Sequence, residues 1–191
     1  MRELEGADLC GYVLKKGSPS CGMERVKVYT KGPAARTGRG LFAEALMERF
    51  PLLPVEEEGR LNDPRLRENF IERVFAYRPL KDLFGSRWTM GDLVRFHTGE
   101  KLLVLAHDPA AYRVLGRLVA AAKGQPRAEV SAGYGQAFLR GLAKLATRGL
   151  VPLVVPLTLF GHHVRRHGVA WLQGQTYLEP HPKELMLRNH V

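Results

Sequence analysis

The sequence has only two cysteines, Cys10 and Cys21, and no long hydrophobic run. Two thiols are too few for the disulfide framework that stabilises small secreted domains, and they fit a reducing compartment. The longest apolar run, residues 150–160, contains two prolines and is shorter than a membrane span. The N-terminal residues have no apolar core that could serve as a signal peptide. We therefore expect a cytoplasmic protein without a membrane partner.

What the sequence does contain is ordinary globular composition. The 191 residues are 45% hydrophobic, 25% charged and 8% aromatic, which excludes collagen-like and wholly disordered chains. This length corresponds to one domain or two small ones. The composition leaves the oligomeric state open.

Acidic residues are scarce in the second half of the chain. Residues 1–86 carry 15 basic and 13 acidic side chains, whereas residues 87–191 carry 14 basic and 6 acidic ones and all seven histidines. This excess indicates a polyanionic partner such as nucleic acid for the second half. A positive net charge is also a common means of keeping a protein soluble, so both interpretations stay open.

The pattern of elements predicts a mainly α fold, in which a C-terminal helical bundle follows a small α/β remnant of two short strands and a helix. Residues 10–15 and 25–29 read as the strands and residues 40–50 as the helix. Residues 31–39 read as a flexible basic connector and residues 54–64 as a linker. We predict an α/β remnant at residues 1–58, a helical linker at 59–86 and an all-α domain at 87–191.

Capping signals place the later helices. Pro64 opens a helix expected to end near Tyr77, Thr89 with Asp92 forms a capping pattern, and Asp108 precedes Pro109. Further helices are predicted to start at Ser131 and after Pro156.

The Ser-Pro-Ser-Cys-Gly stretch at residues 18–22 is the sharpest local signal. A cysteine among turn residues has an accessible sulfur, and neighbouring backbone N–H groups bind anions. The alternative is that Cys21 is a small buried apolar residue. One cysteine does not hold an iron–sulfur cluster, which normally needs several thiolates.

Several long motifs resemble a known family. GYVLKKGSPSCG (residues 11–22), residues 38–43 and FPLLPVEEEGRL (residues 50–61) resemble the C-terminal part of the thiouracil desulfidase family. From residue 62 onward the chain resembles the version fused to a YbgA-like helical domain, which is similar to desulfidases of 4-thiouridine in transfer RNA. The YbgA-like motifs are residues 93–101, 106–109, 112–120, 152–159 and 175–189.

The resemblance implies non-redox replacement of a thiocarbonyl sulfur by oxygen at a [4Fe–4S] cluster held by three cysteines. Cys21 matches one cluster ligand, and Ser20 matches a motif serine near the active site. The family's other two cysteine motifs, one of which carries an acidic catalytic residue, are not in this sequence. We therefore expect a truncated member that holds no cluster as written, because either its reading frame begins too late or the protein is a degenerate descendant. Catalysis by this chain alone is uncertain, and desulfidase activity is expected only if the full gene encodes the other cysteine motifs.

The histidines offer a different chemistry. His163 and His167 share a helix face, so they are candidates for a metal site with a third ligand from elsewhere, which would make the protein a metal hydrolase. The alternative is that these histidines are solvated or hydrogen-bonded. His97 and His107 lie in family motifs and are instead expected to be partly buried and hydrogen-bonded.

Basic residues of the second half are candidates for RNA contacts, because arginine binds phosphates and aromatic rings stack on bases. The candidates are Lys101, Arg113, Arg117, Arg165, Arg166 and Arg188. Tyr112, Tyr134 and Phe160 are expected in the core. The favoured interpretation is a module that binds transfer RNA or another structured RNA. The alternative is a stand-alone helical interaction domain without an RNA role.

Overall fold

The structure, a computed structural model, describes residues 2–28, 35–145, 160–161 and 164–178. The chain divides into two compact units, Met1–Phe70 and Ile71–Val191. The mainly α fold class is confirmed, with short strands confined to the first unit within the described residues. The domain boundaries read from the sequence stay a prediction.

The first unit alternates short strands and helices. In chain order these are α1 (Arg2–Glu5), β1 (Tyr12–Leu14), β2 (Val26–Val28), β3 (Ala35–Gly38), α2 (Leu41–Arg49), β4 (Val55–Glu57) and a 3-10 helix (Arg60–Asn62). Strand β1 pairs with β4 in parallel, and β2 pairs with β3 in antiparallel fashion. Leu14, Val26, Ala43 and Leu46 are buried and form the centre of this unit.

Two of these strands correct the sequence analysis. The predicted flexible connector contains β3, and the predicted linker contains β4, whose three residues are all buried. The linker prediction was wrong because three consecutive glutamates, residues 56–58, dominate its composition. The segment is a strand because it pairs in parallel with β1, with Tyr12 opposite Val55 and Leu14 opposite Glu57.

The second unit is helical in its described part. Helix α3 (Pro64–Gly85) begins in the first unit, and α4 (Met90–His107), α5 (Pro109–Ala121), α6 (Arg127–Leu142) and α7 (Ala170–Gln173) follow. Residues 160–161 and 164–167 are also helical. The rest of the helix predicted after Pro156 lies outside the described residues. None of the described helices is both long and apolar enough to cross a membrane.

Local capping signals placed the helix starts well where they exist. Thr89 and Asp92 form a reciprocal capping box, and the Asp108 carboxylate accepts a hydrogen bond from the Ala110 amide at 3.0 Å. The predicted end of α3 near Tyr77 is wrong, because the helix continues through Pro79. The predicted start of α6 at Ser131 is also wrong, because the helix begins at Arg127.

An aromatic cluster forms part of the core of the second unit. Rings of Phe84, Trp88, Phe96, Tyr134 and Phe138 meet edge to face with centroids 5.3 to 6.2 Å apart. The aliphatic part of this core consists of Leu93, Leu103, Leu115 and Leu142. Tyr134 is buried as expected, whereas the prediction that Phe160 is a core residue is wrong, since it is 44% exposed.

Candidate functional site

Ser18 organises the loop that carries Ser20 and Cys21 in the first unit. The Ser18 hydroxyl oxygen accepts hydrogen bonds from the amides of Ser20 and Cys21, both at 3.2 Å, and its carbonyl accepts one from Gly22 at 2.8 Å. Gly17 enters the loop at φ +66°, where glycine is favoured. The Cys21 side chain is half-buried, and Ser20 is exposed. The loop is therefore a closed turn with its thiol at the surface boundary.

The same loop closes the N-terminus of α2. The carbonyl of Ser20 accepts hydrogen bonds from the amides of Phe42 at 2.9 Å and Ala43 at 3.2 Å, and the carbonyl of Gly22 accepts one from Gly40 at 2.8 Å. These bonds satisfy backbone donors that a helix start leaves unpaired. Ser20 thus has a structural role through its backbone, which sequence reasoning missed.

Two buried glutamates of β4 lie next to the residues that follow this loop in the chain. The Glu57 carboxylate accepts a hydrogen bond from the Met23 amide at 2.6 Å, and the Glu56 carboxylate accepts one from Arg60 Nε at 2.6 Å. Arg60 also pairs with Glu24 at 3.1 Å. Both glutamates are 4% exposed, and β4 therefore holds the chain just beyond Cys21. Only the pairing of β4 with β1 could have identified them.

The thiols do not fit the three-cysteine cluster site that the resemblance implies. The sequence contains two cysteines, and a cluster of this kind normally takes four thiolate ligands, or three with one open iron. Both thiols are half-buried, and Cys10 donates a weak hydrogen bond to the carbonyl of Asp8 at 3.9 Å. Among the described residues no three histidine, cysteine or acidic side chains converge on a possible metal position.

In the second unit, one face of α4 combines aromatic and cationic side chains. His97 Nδ1 lies 3.1 Å from the Tyr134 hydroxyl, and the His97 ring stacks on Tyr112 with centroids 6.4 Å apart. Lys101 Nζ lies 4.5 Å from the centre of the Trp171 ring. Burial lowers the pKa of His97, and the nearby Lys101 cation lowers it further.

Glu100 lies beside this face as a buried carboxyl. One of its oxygens accepts a hydrogen bond from the Thr176 hydroxyl at 2.6 Å, while Oε2 has no hydrogen-bond partner among the described residues. Burial raises the pKa of Glu100 to about 7, against the opposing effect of the Thr176 hydrogen bond. Burial, followed by the Glu100 charge, also raises the pKa of Tyr134. Sequence reasoning did not single out Glu100.

His107 is part of a structural pair. Its Nδ1 lies 2.6 Å from the carbonyl oxygen of Lys144, and its Nε2 lies 3.1 Å from a Glu72 carboxylate oxygen. His107 and Glu72 are buried, and His97 is half-buried. The expectation that His97 and His107 are hydrogen-bonded and at least partly buried is therefore confirmed. The pair links α3, α4 and the end of α6.

The predicted RNA-contacting cations fall on several helices. Arg113 and Arg117 are exposed one turn apart on α5, and Arg165 and Arg166 are exposed in the helical residues 164–167. Lys101 is half-buried next to Trp171, and Arg188 lies outside the described residues. His162 and His163 also lie outside them, while His167 is exposed. Metal analysis of the purified protein is the direct test of the histidine site.

Two family models match the chain in succession. The model of 2-thiouracil desulfurase matches residues 1–58. The model of a family described as a protein of unknown function, DUF1722, matches residues 101–150 and 147–182. The uncharacterized protein YbgA of Escherichia coli (strain K12) is 27% identical over an alignment of 165 residues, and the match covers 68% of this chain and 98% of the relative. No solved structure matches the chain.

The two family matches follow one another along the chain, as is expected of a fusion of two domains. The chain joins a desulfurase-like segment to a YbgA-like region. Ser20, Cys21, Glu56 and Glu57 lie within the desulfurase-like match. The five cations from Lys101 to Arg166 lie within the YbgA-like match, and Arg188 lies beyond it.

Proposed function

We propose that the YbgA-like region binds structured RNA, with transfer RNA as its expected partner. The desulfurase-like segment on the same chain carries the Ser20–Cys21 loop. With the two thiols of this sequence, we further propose that the chain alone holds no stable [4Fe–4S] cluster and removes no sulfur.

The observation that carries this proposal is a set of exposed cations without acidic partners. None of the following makes a hydrogen bond or an ion pair among the described residues: Arg113, Arg117, Lys123, Arg140 and Arg166. Among the described acids of the same region, Asp92 pairs with Arg95, Asp108 pairs with Lys144 and Glu100 is buried. The exposed Glu129 forms no ion pair with any of these five cations. Such cations are available to neutralise phosphates.

The fusion supports RNA as the polyanion. The matching family is named for 2-thiouracil, a nucleobase whose oxygen is replaced by sulfur. The resemblance of the sequence motifs implies a thiolated base within an RNA chain, namely 4-thiouridine in transfer RNA. A region that binds RNA next to a segment similar to a thiobase enzyme fits this substrate class.

Replacing Arg113 and Arg117 together with alanine tests the proposal. Binding of transfer RNA is measured over a series of salt concentrations. Each neutralised phosphate adds about 0.7 to 0.9 to the negative log–log slope, so the double variant is expected to flatten the slope by about 1 to 2 units. Affinity falls for all transfer RNAs alike, because phosphate contacts carry no sequence information.

A double variant at two ion-paired arginines is the matched control. Arg78 pairs with Asp82 and Arg95 pairs with Asp92, so replacing both with alanine removes the same charge from the protein. We expect this variant to keep the wild-type slope. Equal slopes for all three proteins, or equal binding of duplex DNA and transfer RNA, would contradict the proposal and favour a helical interaction domain.

A further inference from the structure

Four side chains of the second unit lie in a row made of an indole, a cation, an imidazole and a phenol ring. Trp171 of α7 contacts Lys101 of α4, with 4.5 Å between Nζ and the ring centre. Lys101 lies four residues after His97 in α4, so the two side chains share one face of the helix. His97 in turn stacks on Tyr112 of α5, with an angle of 15° between the ring planes. Two aromatic rings, an imidazole and a cation therefore follow one another across three helices.

The row is open at Trp171. This side chain is 51% exposed, whereas the only other tryptophan, Trp88, is 5% exposed and lies in the core. His97, Lys101 and Tyr112 are half-buried. An exposed ring with a cation beside it offers a partner both a flat apolar surface and a positive charge.

The backbone that carries Trp171 is firmly held on α4. The buried Gln175 side chain donates hydrogen bonds to the carbonyls of Thr98 at 2.6 Å and Trp171 at 3.2 Å, and it accepts one from the Leu102 amide at 3.3 Å. The Thr176 amide also bonds to the carbonyl of Gly99 at 3.1 Å. The backbone that carries the exposed ring is thus held in place before any partner arrives, which reduces the entropy lost on binding.

We propose that this row binds an unpaired nucleotide of RNA, with the base stacked on Trp171 and the phosphate next to Lys101. The inference rests on the proposed RNA-binding function and names the part of the RNA that this surface contacts. Lys101 lies over one face of the Trp171 ring, so the base stacks on the other face while the cation neutralises the phosphate. Bases inside an RNA helix have both faces covered, so only an unpaired base offers this contact.

The test compares two leucine variants of exposed aromatic residues. Trp171→Leu removes the ring from the row, and Phe160→Leu removes a 44% exposed ring that makes none of these contacts. The probes are a short single-stranded RNA, transfer RNA, and an RNA duplex with the same number of phosphates. Loss of one base–aromatic stack predicts that Trp171→Leu binds the single strand about 5- to 150-fold more weakly. Duplex binding stays unchanged, and Trp171→Phe restores most of the affinity.

Tryptophan fluorescence of the unaltered protein gives a second readout that does not depend on a variant. Because Trp88 is buried, quenching by the single-stranded RNA, and none by the duplex, reports on Trp171. If Trp171→Leu and Phe160→Leu bind the single strand and transfer RNA as the wild type does, without quenching, the nucleotide site is overturned while the RNA-binding proposal stands. If the wild type binds none of the three probes, both are overturned.

Discussion

Gly40 occupies a position where a side chain has no room. A Cβ atom there would lie 2.7 Å from the amide nitrogen of Cys21 and still closer to the carbonyl of Ser20. This approach lets the Ser20 carbonyl reach the N-terminus of α2. A single glycine thus determines how the loop with the Ser-Pro-Ser-Cys sequence packs on the helix.

We predict that Gly40→Ala displaces this loop. Overpacking of this kind costs about 1–3 kcal/mol, and the Cys21 thiol should react faster with a thiol reagent in a Cys10→Ser background. The control is Gly133→Ala on the exposed side of α6, where an added Cβ meets nothing within 4 Å. That change should be neutral or slightly stabilising, because alanine favours helix. Equal thiol reactivity with and without Gly40→Ala would contradict the expectation.

At the scale of elements, the contact between α4 and residues 170–178 depends on polar groups. Gln175 donates a hydrogen bond to the carbonyl of Thr98, and the Thr176 hydroxyl donates one to the Glu100 carboxyl, both at 2.6 Å. Glu100 is the exception in this contact, because one of its buried oxygens has no hydrogen-bond partner among the described residues. Ionising this carboxyl therefore weakens the contact.

The Glu100 carboxyl predicts a pH dependence of stability. Its pKa is raised from 4.5 to about 7 in the folded protein, so the folded state binds the proton more tightly than the unfolded state. The free energy of unfolding should therefore fall by up to about 3 kcal/mol as pH rises from about 4.5 through 7. Glu100→Gln keeps the acceptor for Thr176 and removes the charge. The variant should lose this decrease and be more stable than the wild type at pH 8.

Denaturant unfolding of both proteins at several pH values is the measurement. Glu129→Gln, at an exposed position of α6, controls for the loss of one negative charge. Parallel pH curves for the wild type and Glu100→Gln would show that this carboxyl is not destabilised by burial.

At the scale of the whole molecule, the supply of thiols limits the iron chemistry. We predict that anaerobic reconstitution with iron and sulfide leaves well under four irons per chain and no stable visible absorption, because two cysteines do not replace the usual ligand set. Iron counting and visible spectroscopy of the monomer fraction provide the measurement. Four irons per chain that are lost in Cys21→Ser would contradict this.

Several features of the fold were predictable from residues alone. The capping box at Thr89, the Asp108–Pro109 start and the apolar periodicity of α4 to α6 are local signals that act within one or two helical turns. The separation of charge between the two halves and the long family motifs also need no coordinates. These signals are enough for the mainly α fold and for the candidate residues Cys21 and Arg113.

The tertiary structure alone decided the contacts between residues far apart in the chain. Strand β4 exists because it pairs with β1 about forty residues earlier, and that pairing buries Glu56 and Glu57 against the rule that charged residues are exposed. Trp171 contacts Lys101 across 70 residues of sequence, and Thr176 bonds to Glu100 across 76. Local propensity carries no information about such partners, because the stabilisation arises only when the whole chain has packed.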